Sequence, residues 1–474
     1  MTHCEAVRIM SWHICFLIFG KDDESGCNFT AVSMKRLYEV NITDAIHICK
    51  SDFIREIRFY KSDYVYLRKH DTIMQSSDIQ PLVNYYHWKI KQVNLNFKRY
   101  LFNRINWDAR IIGIKGARGV GKTALLLQRI LEKYKDIDDT FYITLDHLWF
   151  RNHSLEELVE YLYTHGITEI YIDEVHKYKD WSQSLKTFYD EFADLRIVYT
   201  GSSMLEIEKS STDLARRQTP YRLDGLSFRE YLKYTGALEY EPLQLSDILQ
   251  NHVATAMDIC GKTKILKMFD KYLKTGYYPY FTEAKNDFLI RLAETAKLVI
   301  ENDLPAVLDV NYKTIEKTQK LLMIIAEHVP LKPTTEKLAS SISSTRDSCL
   351  KMMYLLDKAA ILRLLTTELK SYKRLVNPEK IYLDNTNLMY ALGSNVNEGN
   401  LRETFFFNQV GNTHDVRSSH AGDFLIDGKL RVEVGGPSKD FSQTADIPDS
   451  FLAIDGIETG YGARIPLWLF GFLY

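Results

Sequence analysis

The chain has 474 residues, 60 Lys and Arg against 62 Asp and Glu, and 45% hydrophobic residues. That length exceeds a single core and predicts two to four domains, while the balanced charge excludes a global attraction to nucleic acid or to an anionic membrane. The longest apolar runs fall short of the ~20 residues that span a bilayer, and six cysteines without a C-x-x-C pair point to a reducing cytoplasm rather than a disulfide framework.

In chain order, residues 1–73 show no sustained period. They hold Cys4, Cys15, Cys27 and Cys49, but His13-x-Cys15 and His47-x-Cys49 match no tetrahedral metal spacing. They read as an N-terminal extension, with the functional chain beginning near Met74. Residues 74–106 follow, where Leu82, Tyr85, Trp88, Ile90, Val93, Leu95 and Phe97 predict a helix leading into the first strand.

Residues 110–131 organise the rest. An apolar run ends at Gly116 in the pattern Gly116-Ala117-Arg118-Gly119-Val120-Gly121-Lys122-Thr123, and an apolar-periodic helix follows. Strand, loop and helix in that order form a phosphate-binding loop. The glycines let backbone N–H groups and the helix N-terminus face a phosphate, Lys122 supplies neutralising charge, and Thr123 offers a hydroxyl to Mg2+. Strand and helix then alternate, which predicts a parallel α/β sheet. A strand at 140–145 precedes a capping box at Ser154 and Glu157, whose helix Gly166 closes. The strand at 168–175 runs into Asp173 and Glu174, a helix spans about 185–192, and the strand at 195–203 ends in Ser202. A helix carrying Arg216 and Arg217 leads to a last strand at 219–223. Ligands of a parallel sheet gather at carboxyl ends of strands. There Asp173 would hold Mg2+ with Thr123, Glu174 would polarise the attacking water, and Ser202 would bond the γ-phosphate or that water.

Residues 228–310 read as helical, including a helix at 265–273 closed by Gly276. Helices at 318–328, 334–341 and 344–358, followed by strands at 361–365 and 380–383, predict a winged helix. Residues 393–400 read as a linker and 396–474 as a small α/β module. The predicted domains are therefore 1–73, 74–227, 228–310, 311–395 and 396–474. DNA contact, where it occurs, would use Arg346, Lys351, Lys370, Lys373 and Arg374.

The sequence resembles prokaryotic AAA-type P-loop ATPases with a C-terminal domain of unknown function related to restriction-endonuclease folds. The likeness covers about residues 80–474. It rests on Gly-Ala-Arg-Gly-Val-Gly-Lys-Thr123, Tyr-Ile-Asp-Glu-Val-His-Lys-Tyr178, Tyr-Thr-Gly-Ser-Ser203, Arg-Arg217 with Gly-Leu-Ser-Phe-Arg-Glu-Tyr231, Gly-Tyr-Tyr-Pro279 and Val-Glu-Val-Gly-Gly436. It implies a P-loop NTPase sheet followed by helical, winged-helix and nuclease-like domains, with ATP and Mg2+ as ligands and ATP hydrolysis as the activity. Arg216 and Arg217 would then reach a phosphate in a neighbouring subunit of a homo-oligomer. No Asn-Lys-x-Asp guanine-reading motif occurs. The leading expectation is a cytoplasmic ATPase whose nucleotide state repositions its C-terminal domains. The rivals are a DNA-binding or scaffolding module with ATP as a structural ligand, and an ATP-regulated nuclease.

Residues 422–434 predict a hairpin. A three-residue connection would pair Ile426 with Leu430 and Phe424 with Val432, putting the apolar residues on one face. Asp423 and Glu433 would meet on the other side, with Glu403 as a third carboxylate for a divalent metal. The lysine expected two residues after the glutamate is Gly435 here. Lys439 replaces it only if the Gly435-Gly436 segment folds back. The expectation is a nuclease-like fold without strong cleavage.

Overall fold

The apolar runs of the first half pair edge to edge. Strands β1 (Ile111–Lys115), β2 (Phe141–Thr144), β3 (Glu169–Asp173), β4 (Arg196–Gly201) and β5 (Gln218–Arg222) form a parallel sheet of order β2-β3-β4-β1-β5. The first four strands are buried almost throughout, as expected of a sheet covered on both faces. The covering helices are α1 (Ser76–Ile90), α2 (Lys122–Lys133), α3 (Leu155–Thr164) and α4 (Trp181–Glu191). At the start of α3, Ser154 Oγ accepts from the Glu157 N–H at 3.1 Å and Glu157 returns the bond to Ser154 N–H at 3.3 Å. In this order β4 lies between β1 and β3, so the segments following β1 and β3 flank its carboxyl end. This computed structural model describes residues 74–201, 214, 216–307, 312–328, 334–367, 377–439 and 448–474.

Helices follow the first sheet: α5 (Phe228–Tyr234), α6 (Leu245–Lys262), α7 (Ile265–Thr275) and α8 (Phe288–Leu298), the last continuing into a π-helical turn, Val299–Asp303. Next come α9 (Tyr312–His328), α10 (Thr335–Ser341) and α11 (Arg346–Lys358), then an antiparallel pair, β6 (Leu362–Leu365) and β7 (Lys380–Leu383). After α12 (Thr386–Leu392) and α13 (Glu398–Gly411), a second sheet is built from β8 (Val416–Ser418), β9 (Phe424–Ile426), β10 (Leu430–Gly435), β11 (Ser450–Ile454) and β12 (Arg464–Pro466). Its order is β12-β11-β10-β9-β8. β8, β9 and β10 pair antiparallel, whereas β10, β11 and β12 pair parallel.

Met74–Tyr474 forms one compact unit. One face of the first sheet buries Ile143, Leu158, Trp181 and Phe188 in a core of its own. The other face shares an apolar cluster that runs from Leu125 and Val198 through Phe228 and Tyr272 to Phe405 and Phe472. Ring contacts carry it across elements, with Phe228 and Tyr272 centroids 5.4 Å apart and Phe269 and Phe405 4.7 Å apart.

Several boundaries differ from the sequence expectation, among them the helix read at about 185–192, which starts at Trp181, and Arg216 and Arg217, which lie in a turn and not on a helix. The first helix stops at Ile90 and does not run on toward the first strand, because Asn94 Oδ1 turns back onto Asn96 N–H at 2.8 Å. The carbonyls of Asn94 and Phe97 are instead spent on the Gln128 side chain of α2, at 2.7 and 2.8 Å. The helix expected from residue 318 starts at Tyr312. The linker read at 393–400 is shorter, because Asn397 caps α13 by accepting from Asn400 N–H at 3.2 Å.

Candidate functional site

The loop between β1 and α2 is glycine-rich for steric reasons visible in place. A Cβ on Gly116 would lie 2.2 Å from the Leu223 carbonyl oxygen, and Gly119 and Gly121 hold φ of +81° and +98°, a region costly to side-chain-bearing residues. Val120 is fully buried and Ala117 packs at the edge of the core, so the loop is anchored at its middle. The guanidinium of Arg99 anchors it again. It is 5% exposed, donates to the carbonyls of Val120, Asp224 (2.6 Å) and Gly225 (2.9 Å), and pairs with both oxygens of Glu230 at 3.1 Å.

Lys122 opens α2 with its ammonium turned back onto the carbonyl oxygens of Gly116 and Ala117, each at 2.9 Å. Burial pushes its pKa down, opposed by the nearby Glu174 and Asp173 carboxylates. The charge therefore rests on neutral acceptors inside the loop rather than on a carboxylate. Across from it, Asp173 ends β3 almost fully buried. Its Oδ2 accepts from Thr123 Oγ1 at 2.6 Å and from Tyr142 Oη at 3.0 Å, and its Oδ1 accepts from Thr200 Oγ1. Burial raises the Asp173 pKa, and the neighbouring Glu174 raises it further. A carboxylate and a threonine hydroxyl at this separation are hard oxygen donors of the kind Mg2+ takes.

Glu174 follows with φ of +55°, a left-handed conformation that is uncommon for a non-glycine residue. Its N–H donates to Thr200 Oγ1 at 3.3 Å. Its carboxylate lies 3.3 Å from Nε2 of His176, and burial pushes that imidazole's pKa down to about 4, so the ring is neutral at pH 7.

The structure thus brings Gly116, Ala117, Arg118, Gly119, Val120, Gly121, Lys122, Thr123, Asp173 and Glu174 to one carboxyl edge of the sheet. Ser202 lies outside the described residues. Arg216 and Arg217 are elsewhere: Gln218, which follows them, pairs with Ile111 at the amino end of β1, four residues of strand away from the loop. Arg217 there grips Asp190 through two bonds of 3.1 Å, and Arg216 is exposed. Neither reaches the loop of its own chain.

Sequence reasoning gave no role to Arg99, Tyr142, Thr200 or His176. Thr200 stands one residue before the end of β4, so a search of the strand ends for hydroxyls would have found it, whereas Tyr142 is the second of the four residues of β2 and would have been missed. Arg99 carries no such signal, because the groups it joins are spread over residues 120–230.

In the second sheet, β9 and β10 pair Ile426 with Leu430, Leu425 with Arg431 and Phe424 with Val432, the register that hydrophobic sorting favoured. Gly435-Gly436 folds back, so that Lys439 Nζ meets the buried Glu433 carboxylate at 2.6 Å. Lys380 of β7 stands between Glu403 Oε2 (2.9 Å) and Asp423 Oδ1 (3.2 Å), and Tyr382 Oη donates to Glu403 at 2.6 Å. The carboxylates read as metal ligands are thus paired with lysines. Among the described residues no group of three or more His, Cys, Asp and Glu is arranged to hold a metal. Of the cations read as DNA contacts, Arg346 is engaged by Glu336 (3.1 Å) and Asn377 (2.9 Å) and Lys351 is exposed. Lys370, Lys373 and Arg374 lie outside the described residues.

Comparison with known proteins agrees with this geometry. Residues 108–232, which hold the first sheet, match a family described as AAA domain, in keeping with the P-loop fold of that sheet. The chain is similar to the uncharacterized protein MJ1637 of Methanocaldococcus jannaschii, 28% identical over 270 residues, 54% of this chain and 57% of that protein. The match therefore spans little more than half the length of that relative. Among solved structures it is similar to a Walker-type ATPase of Pyrococcus abyssi (12% identity, 62% of this chain, 95% of that chain, TM-score 0.36). It is also similar to AMPPCP-bound DnaA of Aquifex aeolicus (14% identity, 61% of this chain, 90% of that chain, TM-score 0.20). At these TM-scores neither likeness bears on function. No helix among the described residues is long and apolar enough to cross a membrane.

Proposed function

We propose that the chain is a Mg2+-dependent ATPase of the AAA type whose nucleotide state acts on the regions after residue 228. The observation that carries this reading is the assembled loop: a buried lysine ammonium resting on two neutral carbonyls, beside a Thr123–Asp173 pair and a second carboxylate, Glu174. Anionic oxygens are better acceptors for that ammonium than carbonyls, so Lys122 and the N–H groups of residues 116–123 would bind the β- and γ-phosphates of ATP. Thr123 and Asp173 would hold Mg2+, which when bound neutralises charge developing between those phosphates. Glu174 would orient and deprotonate the attacking water, with neutral His176 fixing its carboxylate, and Ser202 would bond the γ-phosphate or the water. Arg216 and Arg217, far from their own loop, would serve the loop of a neighbouring copy in a homo-oligomer. The cysteine usage favours the cytoplasm.

The test compares Lys122→Ala with Glu174→Gln. The first should lose tight ATP binding, and the second should bind ATP but not cleave it. Equal loss of binding in both would remove Glu174 from its role. Mixing the Arg216→Ala/Arg217→Ala double variant with Lys122→Ala should restore part of the turnover, and no restoration at any ratio would remove the trans role.

For the C-terminal regions, we read α9 to β7 as a winged helix, supported by three helices followed by an antiparallel pair. We read residues 396–474 as a nuclease-like module. The fold-back of Lys439 onto Glu433 favours that module's descent from a nuclease, while Lys380 between Glu403 and Asp423 favours loss of cleavage. Metal-dependent cutting of DNA that disappears in Asp423→Ala would overturn the second point. DNA binding through the winged helix should fall with salt, and binding insensitive to salt would sink it.

A further inference from the structure

The Arg118 side chain reaches from the phosphate loop into the helical region that follows the first sheet. Its Nη2 donates to Asp303 Oδ1 at 2.9 Å, and Asp303 lies 185 residues downstream, 3% exposed, as the last residue of the π-helical turn Val299–Asp303. The pair is only half satisfied, because Asp303 Oδ2 and Arg118 Nε are buried and have no hydrogen-bond partner. A buried carboxylate that accepts a single bond is held at a cost. The loop end of this contact is close to the candidate chemistry, since Arg118 directly follows Ala117, whose carbonyl with that of Gly116 holds the Lys122 ammonium. The far end is tied to the first helix of the next region, where Gln319 of α9 donates to Glu301 of the same π turn at 2.9 Å. A π turn inside an otherwise regular helix commonly marks a functional position.

We propose that Asp303 is a positioning residue that holds Arg118 away from the phosphates until a nucleoside triphosphate is bound, and that exchange of Arg118 from Asp303 to the polyphosphate signals occupancy to the π turn and α9. The inference rests on the ATPase reading above and names its link to the distal regions. The physical basis is competition for one guanidinium. Its planar fork suits two phosphate oxygens, whereas Asp303 offers it a single bond. Because a triphosphate presents one more phosphate than a diphosphate at the loop, the exchange discriminates ATP from ADP. An ion pair present only for packing would not.

The full chain is titrated with ATP and with ADP in the presence of Mg2+, alongside Asp303→Asn, Arg118→Gln and the double variant. Asp303→Asn should bind ATP about tenfold more tightly, equivalent to ~1.4 kcal/mol, and should raise the ATP preference over ADP. In the Arg118→Gln background the same substitution should change nothing. Hydrogen exchange of residues 299–307 in the wild type should quicken on saturation with ATP, a readout that does not depend on either variant folding. Asp303→Asn affinities equal to the wild type, or a shift common to ATP and ADP, would overturn the inference, as would exchange at 299–307 indifferent to ATP. Failure of the wild type to bind ATP at all would instead sink the ATPase reading on which this one stands.

Discussion

Two strand ends in this molecule carry a buried carboxylate with a lysine nearby, and they resolve their charge in opposite ways. At the end of β3, Asp173 is satisfied by hydroxyls from Thr123, Tyr142 and Thr200 while Lys122 rests on backbone carbonyls. In β10, Glu433 meets Lys439, and beside it Lys380 joins Glu403 to Asp423. The first arrangement keeps its positive and negative groups apart on neutral partners, so an anion and a cation arriving together each find a waiting counter-charge. The second has already closed on itself. Burial alone thus does not mark a receptive site; what matters is whether the charges have spent themselves on each other.

The largest effect should come from the receptive end. Glu174→Gln would remove the proposed water activation while leaving the Lys122 contacts and the Thr123–Asp173 pair in place. Turnover should fall at least about 100-fold with ATP binding retained, as measured by single-turnover hydrolysis beside equilibrium binding. A variant that cleaves ATP at the wild-type rate would break the comparison at its first term.

The closed end should answer in stability. Lys380→Met strips two carboxylates of their cation at a site where all three side chains are about one-fifth exposed or less. Removing one partner of a buried pair typically costs about 3–5 kcal/mol, and partial exposure brings the expectation to about 2–3 kcal/mol in urea unfolding. Adding Glu403→Gln should recover part of that loss. ATP turnover should stay near wild type per folded molecule, and equal losses of stability and turnover would mean that the two ends are not separate.

A smaller effect separates the two ends by pH. His176 ionises near 4 in the folded chain, lowered chiefly by burial, against about 6.5 when free. Between those values the unfolded chain binds the proton and the folded one does not, so stability is present above about pH 6.5 and is lost as pH falls toward 4. The groups bearing on the ring are Asp303, Lys177, Arg118 and Lys122, with Glu174 in contact. Taking His176→Gln as reference, the wild type should lose about 2 kcal/mol more across that window. Asp173 titrates in both proteins and drops out of the difference. Superimposable acid limbs would refute the neutral, buried imidazole.

How legible these sites were follows from how their partners are spaced. The loop from Gly116 to Thr123 is contiguous, so its conformation is local and could be read from the sequence. Asp173 and Glu174 could be read because strand ends in a parallel sheet converge. The hairpin register could be read because Phe424, Ile426, Leu430 and Val432 sort to one face only with a three-residue connection. Arg99, Asp303 and Lys380 were not readable, since each acts on groups brought near by packing between distant elements, and an arginine, aspartate or lysine in isolation has no pattern. Lys439 lay between the two cases: its approach to Glu433 depended on a backbone turn at two glycines that the sequence permitted without requiring.

The smallest effect concerns a pair that belongs to neither end. Arg217 grips Asp190 through two 3.1 Å bonds, with 29% and 47% of the two side chains exposed and the guanidinium 5.7 Å from the Tyr189 ring centroid. The geometry is bidentate, but water reaches both groups, and exposed pairs of this kind contribute about 0.2–1 kcal/mol. Arg217→Ala should therefore cost less than about 1 kcal/mol in thermal unfolding, and the cost should shrink in 0.5 M salt, where screening acts within ~5 Å. The small size of that effect is what makes the substitution informative. A variant that keeps its fold but loses turnover has lost a charge acting on another chain's phosphates, since its own loop lies at the opposite edge of the sheet. A stability loss several times larger, unchanged by salt, would instead make Arg217 a structural partner of α4 through Asp190 and leave the exposed Arg216 as the arginine to reach a neighbour.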